Sequence, residues 1–347
     1  MSLNDDTRAL MAEINKKHGP GSVIVASQMP RVPRFPSGSL SLDAVLGGGW
    51  PGNQWCEIIG SESSGKTTVV HKTIAANQRR DPDFVTFWIA SEGYDEAWAR
   101  ALGVDTDRVI PFFTNAMEDA YAAMIQAVES RAVDAVVLDS YPALVASAED
   151  EKAMHESTIS AGARVTAKFC RKAGSASRRS LIDDERPFLG LVINQWRDQI
   201  GGFSPHGGTP KITPGGKAKN YFFSTRLEVQ RTEWIDEKRP TGGVKRVGQC
   251  IKLKTIKNKT AAPQQVATIR FYFADSLTGH DKGDYDTGAE MATMGIFHGV
   301  ITAEGAWYKY DGAKWHGMQK LCAALREDID LQETLRADVM AAIEAAP

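Results

Sequence analysis

The stretch GSESSGKTT, residues 60–68, constrains the fold of this chain more than any other segment. It fits the pattern GxxxxGK[ST], in which backbone N–H groups and the start of the following helix surround a phosphate group. An apolar run, WCEIIG, leads into the motif, and a helix-like segment starts at Lys66. Because a strand must enter such a loop and a helix must leave it, the sequence predicts a nucleotide-binding site in an α/β fold.

The positions of this loop have distinct expected tasks. Lys66 places a positive charge on the β- and γ-phosphate oxygens, and the Thr67 hydroxyl ligates Mg²⁺. The glycines let the backbone approach the phosphates closely. The predicted nucleotide contacts in the loop are Gly60, Ser61, Glu62, Ser63, Ser64, Gly65, Lys66, Thr67 and Thr68.

Composition excludes several classes of protein. The chain has 347 residues, enough for two or three domains, and no apolar stretch is long enough to span a membrane. Its N-terminus lacks the apolar core of a signal peptide. The four cysteines are scattered without CxxC spacing, which favours a reduced, cytoplasmic compartment over a zinc site or a disulfide framework. A net charge of −2 excludes no partner, since a nucleic-acid groove needs only local positive charge.

The pattern along the chain predicts three regions. Residues 1–35 hold a helix over residues 5–18, capped by Asp5 or Asp6, and a Pro/Ser-rich linker. Residues 36–275 alternate strand-like and helix-like runs, and near-continuous apolar strands such as AVVLDS and FLGLVINQ indicate a parallel sheet covered by helices on both faces. TRLEVQRTEW and QCIKLKTI suit antiparallel edge strands, with a basic, turn-like segment, IDEKRPTGGVKRVG, between them. Residues 276–347 are expected to form a small α/β domain.

Polar residues that follow the apolar strands are candidates for the chemistry. Asp139 ends a strand and suits the second carboxylate of a magnesium site, although an aspartate there also suits a simple turn. Glu92 follows another strand and is either the base for an attacking water or a first-turn acid of the next helix. Asn194 and Gln195 would project into the same crevice, but their pattern alone favours ordinary loop amides. The Gly/Pro-rich segment after them is long enough to indicate a functional or disordered loop.

Taken together, several segments identify a resemblance to the bacterial RecA recombinase family over nearly the whole chain. The segments are GSLSLDAVLGGG, GSESSGKTT, ALGVD, VVLDS, VINQ, KNKTAAP and GAWYKY, in the family's order. The resemblance implies an RecA-type P-loop NTPase core with a small N-terminal helical segment for polymerisation and a small C-terminal domain. It also implies an ATP- and Mg²⁺-dependent protein that forms helical filaments on single-stranded DNA and exchanges strands with a homologous duplex.

The resemblance assigns roles to individual residues around the nucleotide. It implies that Glu92 is the catalytic carboxylate, that Asp139 acts on Mg²⁺ through a water, and that Gln195 links the γ-phosphate to a DNA-binding loop. Asp95 and Trp98 match positions that contact adenine, with Trp98 replacing the family's tyrosine. Lys257 and Lys259 match lysines that reach ATP from the neighbouring subunit, and Tyr221 matches an interface aromatic. From the pattern alone, the two lysines would be solvated side chains at a strand end.

The resemblance also implies two DNA-binding loops, near residues 149–164 and 197–217. The second loop is longer than usual in the family, with additional prolines at 210 and 214. The predicted backbone contacts are Arg164, Arg171 and Arg197, the predicted base wedges are Ile159 and Ile200, and Lys320 is predicted to capture duplex, with Lys309 and Lys314 as weaker candidates. Further partners that the resemblance implies are repressor-type proteins and loading factors, in the cytoplasm of a bacterium or a phage-infected host.

Three other functions fit parts of the sequence. A hexameric helicase-type ATPase would share Lys66, Glu92 and Asp139 but would form closed rings. A P-loop kinase would act on a small molecule and would not respond to DNA. A regulatory paralogue would bind ATP and DNA without efficient exchange, and the presence of Glu92 and Gln195 argues against it.

Overall fold

An eight-stranded sheet forms the centre of the molecule in a computed structural model that describes residues 3–150, 161–178, 186–199, 209–240 and 242–345. Together with the strands of the smaller sheets, the described strands are β1 (Arg34–Phe35), β2 (Trp50–Pro51), β3 (Gln54–Gly60), β4 (Thr86–Ala90), β5 (Val109–Phe112), β6 (Ala135–Asp139), β7 (Leu189–Gln195), β8 (Arg197–Asp198), β9 (Lys211–Ile212), β10 (Thr225–Lys238), β11 (Val244–Asn258), β12 (Val266–Tyr272), β13 (Thr302–Glu304), β14 (Trp307–Tyr310) and β15 (Ala313–His316).

Helices cover both faces of this sheet and build the C-terminal part of the chain. They are α1 (Asp5–His18), α2 (Leu40–Leu46), α3 (Lys66–Arg80), α4 (Glu96–Ala101), α5 (Met117–Ser130), α6 (Ser147–Asp150), α7 (Ala161–Ala176), α8 (Ala218–Phe222), α9 (Thr287–Phe297), α10 (Met318–Glu327) and α11 (Ile329–Ala345).

The strand order of the sheet is β12-β11-β10-β3-β7-β6-β4-β5. Neighbours from β10 to β5 are parallel, whereas β11 and β12 add in antiparallel fashion at one edge. The register places Gly60 beside Gln195, and Ala90 beside Asp139. The carboxyl ends of the parallel strands therefore meet at one edge of the sheet, where Glu92, Asp139 and Gln195 lie.

Alternating residues of the buried strands pack into two separate hydrophobic cores, one on each face of the sheet. Val137 packs with Ile74 of α3 on one face, and Leu138 packs with Met124 of α5 and Phe169 of α7 on the other. This alternation explains why the sequence shows continuous apolar runs, since both faces of each central strand are covered. The predicted fold class, an α/β core with a mainly parallel sheet, is confirmed.

Two details of the sequence interpretation were wrong. Helix α1 is capped by Asn4, whose side chain accepts a hydrogen bond from the Thr7 amide at 2.9 Å, and not by Asp5 or Asp6. The segment interpreted as a long turn between β10 and β11 is largely strand. Its charged residues hide a continued alternation in which Ile235 and Val247 pack on Tyr272.

The C-terminal helices are attached to α2 through buried charges. Leu40 of α2 belongs to the core that α9, α10 and α11 share. Glu290 accepts hydrogen bonds from the Ser39 hydroxyl and, at 2.9 Å, from the Ser41 amide. Asp43, also in α2, is buried and forms an ion pair with Arg336 of α11. The three-stranded sheet of β13, β14 and β15 completes this region.

Candidate functional site

The loop between β3 and α3 has the tight geometry that its glycines permit. A Cβ on Gly60 would lie 2.3 Å from the Val229 carbonyl oxygen of β10 and 2.5 Å from the Ser64 hydroxyl oxygen. Gly65 adopts φ 99°, a conformation that favours glycine. The Lys66 ammonium group donates to the Ser61 carbonyl at 2.6 Å, inside the loop. The backbone is thus folded as a cradle in which a larger residue at position 60 would collide with the neighbouring strand.

Two carboxylates stand beside this cradle. Asp139 ends β6 and is buried, while Glu92 follows β4 and accepts a hydrogen bond from the Ser140 hydroxyl. Burial and, to a smaller extent, the nearby Glu92 raise the pKa of Asp139 to about 7, against the opposing effects of Thr67 and Lys66. The structure therefore brings Glu92 and Asp139, at two strand ends, next to Lys66 and Thr67 at the start of α3.

Thr67 and Asp139 fit a magnesium ion by the chemistry of their oxygen ligands. A hydroxyl and a carboxylate suit Mg²⁺, which keeps several waters and binds few protein groups when phosphates complete its shell. The burial of Asp139 next to Glu92 favours a bound cation, because positive charge relieves the repulsion between the two carboxylates. Within the described residues, no group of three or more His, Cys, Asp or Glu side chains forms a metal site.

A cleft of about 620 Å³ opens next to the two carboxylates. Asp95 and Trp98, the predicted adenine contacts, both line it. The Asp95 side chain accepts a hydrogen bond from the Trp98 amide at 2.9 Å, so it also caps α4. The remaining lining residues are Thr67, His71, Trp88, Glu92, Gly93, Tyr94, Glu96 and Asp139.

Sequence reasoning missed an aromatic cluster in the wall of this cleft. The His71 and Trp88 rings stack with centroids 4.7 Å apart, and Tyr94 meets both rings edge-on. Among the described residues, the His71 Nδ1, Trp88 Nε1 and Tyr94 hydroxyl atoms are buried without a hydrogen-bond partner. The available signal was the spacing of His71, which lies four residues after Thr67 and so on the same face of α3.

His71 makes the folded protein sensitive to acid. Burial lowers its pKa from 6.5 to about 4, so the unfolded chain binds more protons than the folded chain between these values and stability falls as the pH drops through this window. The loss reaches about 3 kcal/mol at the acid end. We expect urea denaturation of a His71→Gln variant to show a smaller loss of stability from pH 7 to pH 4 than the wild type. A His316→Gln variant, changed at an exposed histidine, should follow the wild type, and equal slopes for all three proteins would refute the prediction.

Gln195 and Asn194 separate, contrary to the expectation that both project into one crevice. Gln195 ends β7 beside Gly60 and is half-buried. Asn194 is fully buried and donates to Glu57 at 2.7 Å and to the Pro214 carbonyl at 3.2 Å. Successive strand residues point to opposite faces, so only one of the two could face the nucleotide.

Lys257 and Lys259 lie at the end of β11, away from the cleft of their own chain. Lys257 lies opposite Arg226 of β10, and Arg226 in turn lies opposite Glu57 of β3. Glu57 precedes Gly60 by three residues, so this row of residues crosses the sheet roughly 10 Å before the cradle begins. The Lys257 ammonium group donates to backbone carbonyls at the end of α8, and Lys259 donates to the Tyr221 carbonyl at 3.0 Å. Burial, together with the nearby positive charges of Lys259 and Arg226, lowers the pKa of Lys257 to about 8.

Tyr221 is the most exposed aromatic residue near these lysines, with 79% of its surface accessible. It lies in α8, the short helix whose carbonyl groups the two lysines bind. The predicted interface aromatic and the predicted interface lysines therefore form one exposed surface.

The predicted DNA contacts that the structure describes are exposed. Arg164 and Arg171 lie on the outer face of α7, and Arg197 lies in β8, which pairs with β9. Lys168 and Lys172, which sequence reasoning missed, lie four and eight residues after Arg164 and extend the same stripe. Ile159 and Ile200 lie outside the described residues.

The C-terminal lysines lie on or next to the small antiparallel sheet. Lys309 and Lys314 pair directly across β14 and β15, and Lys309 also forms an ion pair with Glu304. Lys320 is exposed on α10. In the described ranges, no helix is long and apolar enough to cross a bilayer.

Comparisons with known proteins give one consistent result. The family model described as the RecA N-terminal domain matches residues 6–278. Protein RecA of Acidothermus cellulolyticus is 33% identical over 341 residues, covering 97% of this chain and 92% of the relative. Protein RecA of Paenarthrobacter aurescens is 35% identical over 332 residues, covering 94% and 89%. Protein RecA of Lactobacillus delbrueckii subsp. bulgaricus is 33% identical over 336 residues, covering 95% and 94%.

Proposed function

Because the chain belongs to the RecA family, we propose that it is a recombinase that assembles as a helical filament on single-stranded DNA, pairs it with a homologous duplex and exchanges strands. It hydrolyses ATP in a DNA-dependent manner, at interfaces between neighbouring subunits. The observation that supports this most strongly is the separation of Lys257 and Lys259 from the cleft of their own chain, since lysines so placed are available to a neighbour's nucleotide.

The residues around the cradle divide the work of hydrolysis. The loop from Gly60 to Thr68 binds the phosphates of ATP, with Lys66 neutralising charge on the β- and γ-oxygens. Thr67 and, through a water, Asp139 hold Mg²⁺, which supplies further positive charge to the phosphate oxygens. Glu92, oriented by the hydrogen bond from Ser140, accepts a proton from the attacking water.

The neighbouring subunit completes the site. Lys257 and Lys259 supply positive charge in trans to the phosphate oxygens, as an arginine finger does. Charge that develops in the transition state is stabilised only when the interface forms, so hydrolysis depends on assembly. Gln195, at the strand end beside the cradle, responds to the γ-phosphate and passes that response to the second DNA loop. Asp95 and Trp98, which line the cleft, contact the adenine ring.

DNA is held mainly through its phosphates. The exposed stripe of Arg164, Lys168, Arg171 and Lys172, together with Arg197, offers five positive charges to the DNA backbone, whose phosphates carry no sequence information. Such contacts give affinity that is independent of sequence and weakens with salt. The wedge roles of Ile159 and Ile200 and the duplex capture by Lys320 rest on the family resemblance. So do the cytoplasmic location and the repressor-type and loading partners.

The first test measures ATP hydrolysis with and without a long single-stranded DNA at low and high salt. We expect strong stimulation by DNA that weakens as salt rises, because assembly on the DNA backbone creates the interfaces. A Lys66→Ala variant provides the background rate. Equal hydrolysis with and without DNA would overturn the proposal and favour a kinase or a constitutive ATPase. Closed rings with directional unwinding would favour a helicase.

A further inference from the structure

A buried carboxylate, Glu57 of β3, accepts hydrogen bonds from three side chains close to the root of the second DNA loop. Its side chain is 0% exposed, and it accepts hydrogen bonds from Lys219 at 3.0 Å, Arg226 at 2.6 Å and Asn194 at 2.7 Å. The Lys219 side chain is itself only 1% exposed. We call Glu57, Asn194, Thr213, Lys219 and Arg226 the Glu57 cluster.

Burying such a cluster lowers the stability of the fold unless its charges are paired. Removing charged groups from water costs several kcal/mol per ion, which good geometry and additional hydrogen bonds must offset. Two cations face one carboxylate here, so one positive charge is in excess. The Thr213 hydroxyl oxygen helps to stabilise the two cations, because it accepts hydrogen bonds from both Lys219 and Arg226, the latter at 3.1 Å.

The cluster holds both ends of the second loop to one strand of the sheet. On the outgoing side, Asn194 binds Glu57 and accepts a hydrogen bond from the Gln195 amide at 2.8 Å. On the returning side, Asn194 binds the Pro214 carbonyl, and both cations bind Thr213. Between these two ends, β8 and β9 form a two-stranded ribbon that continues to the pairing of the Gln199 amide with the Pro210 carbonyl at 2.8 Å.

The cluster also reaches the surface that carries the interface lysines. Lys219 and Asn220 belong to α8, and the Lys219 ammonium group donates to the Asn220 side chain at 3.1 Å. The carbonyl groups at the end of that helix hold Lys257 and Lys259. One buried group of residues therefore touches the strand end with Gln195, the returning end of the loop, and the helix beneath the lysines.

We propose that Thr213 and Lys219 are positioning residues, and that the Glu57 cluster keeps the root of the second loop in a fixed relation to Gln195 and to α8. Binding of nucleic acid to that loop is then passed to the nucleotide edge and to the interface lysines through the cluster. The functional part of this inference rests on the proposed recombinase activity, whereas its structural part, the fixed ribbon, does not.

The test compares Thr213→Val with Thr213→Ser. Valine removes the hydroxyl that both cations bind and keeps the ion pairs with Glu57, while serine keeps the hydroxyl. Hydrogen exchange of the Gln199 and Ile212 amides, measured without DNA, reports on the ribbon directly. We expect exchange in Thr213→Val to be about tenfold faster than in Thr213→Ser, since a hydrogen bond to a charged group contributes roughly that factor. Equal exchange in the two variants would overturn the inference.

A second readout connects the cluster to function. The ratio of DNA-stimulated to basal ATP hydrolysis should fall about tenfold in Thr213→Val and stay close to the wild-type ratio in Thr213→Ser. A Lys219→Met variant, which keeps the length of the side chain and leaves Glu57 paired with Arg226, should lose at least as much. A wild-type protein without DNA stimulation would refute the proposed function, and the exchange rates would still decide whether the cluster fixes the ribbon. An unchanged ratio in both Thr213→Val and Lys219→Met, with wild-type stimulation intact, would refute the coupling.

Discussion

A mixture of Lys66→Ala and Lys257→Ala proteins hydrolyses ATP with single-stranded DNA, although each variant alone is about 100-fold or more below the wild type. Lys66→Ala lacks the charge in the cradle, and Lys257→Ala lacks the charge supplied across the interface. In a random filament with equal amounts of both, about a quarter of the interfaces join an intact cradle to an intact lysine, because head-to-tail contacts use two different surfaces. The measurement is the hydrolysis rate as a function of the mixing ratio, with a maximum expected near equal amounts.

Two further variants separate this effect from general loss of charge. Lys254→Ala changes a lysine of the same strand, three residues before Lys257, and should hydrolyse ATP nearly as the wild type does. Lys257→Arg keeps a positive charge above pH 8, where burial and neighbouring cations have left Lys257 partly neutral in the free protein. No recovery at any ratio, with both variants still binding DNA, would contradict catalysis in trans.

Replacing Glu92 by glutamine should reduce the turnover of ATP by about 100- to 10,000-fold, the usual contribution of a positioned base. The substitution keeps the size of the side chain and its hydrogen bond with Ser140 while removing the negative charge. Binding of ATP and of single-stranded DNA should persist, because Glu92 belongs to neither the phosphate cradle nor the basic stripe. Single-turnover hydrolysis and a DNA-binding titration on the same sample distinguish these outcomes.

The matched control for this prediction is Glu96→Gln. Glu96 lies four residues further along, lines the same cleft and pairs with Arg100 at its exposed side. Its loss should leave turnover within a few-fold of the wild type, since a surface ion pair contributes little. Turnover in Glu92→Gln that matches Glu96→Gln would show that Glu92 is only a polar residue of the loop, which its sequence context also allows.

Spacing along the chain predicted the parts of the site that depend on local order. The cradle follows from the motif, and the positions of Glu92, Asp139 and Gln195 at strand ends follow from apolar runs that end in polar residues. The pattern left the role of Glu92 open and favoured an ordinary loop amide at Gln195, so their assigned roles came from the family resemblance. Parallel strands place those ends on one edge, so neighbours in space can be inferred without knowing the packing.

Features that depend on burial of polar groups could not be predicted in this way. Lys219 stands between Ala218 and Asn220 and has the sequence context of an exposed lysine, yet it is 1% exposed against Glu57. Strand alternation places Asn194 and Gln195 on opposite faces of β7. Which of the two faces the cradle could be decided only from the register of β7 with β3. The continuation of β10 was hidden by its charges, because on an exposed ribbon charged side chains occupy both faces.

The attachment of the C-terminal helices to α2 has a consequence for the modularity of the chain. Leu40 and Asp43, early in the central region, have their packing and ion-pair partners beyond residue 286, so the two regions complete each other's interior. A shortened chain that ended before α9 would expose apolar surface and leave the buried Asp43 carboxylate without Arg336. Surface residues of the C-terminal helices can therefore change freely, whereas deletion or exchange of these helices should destabilise the central region as well.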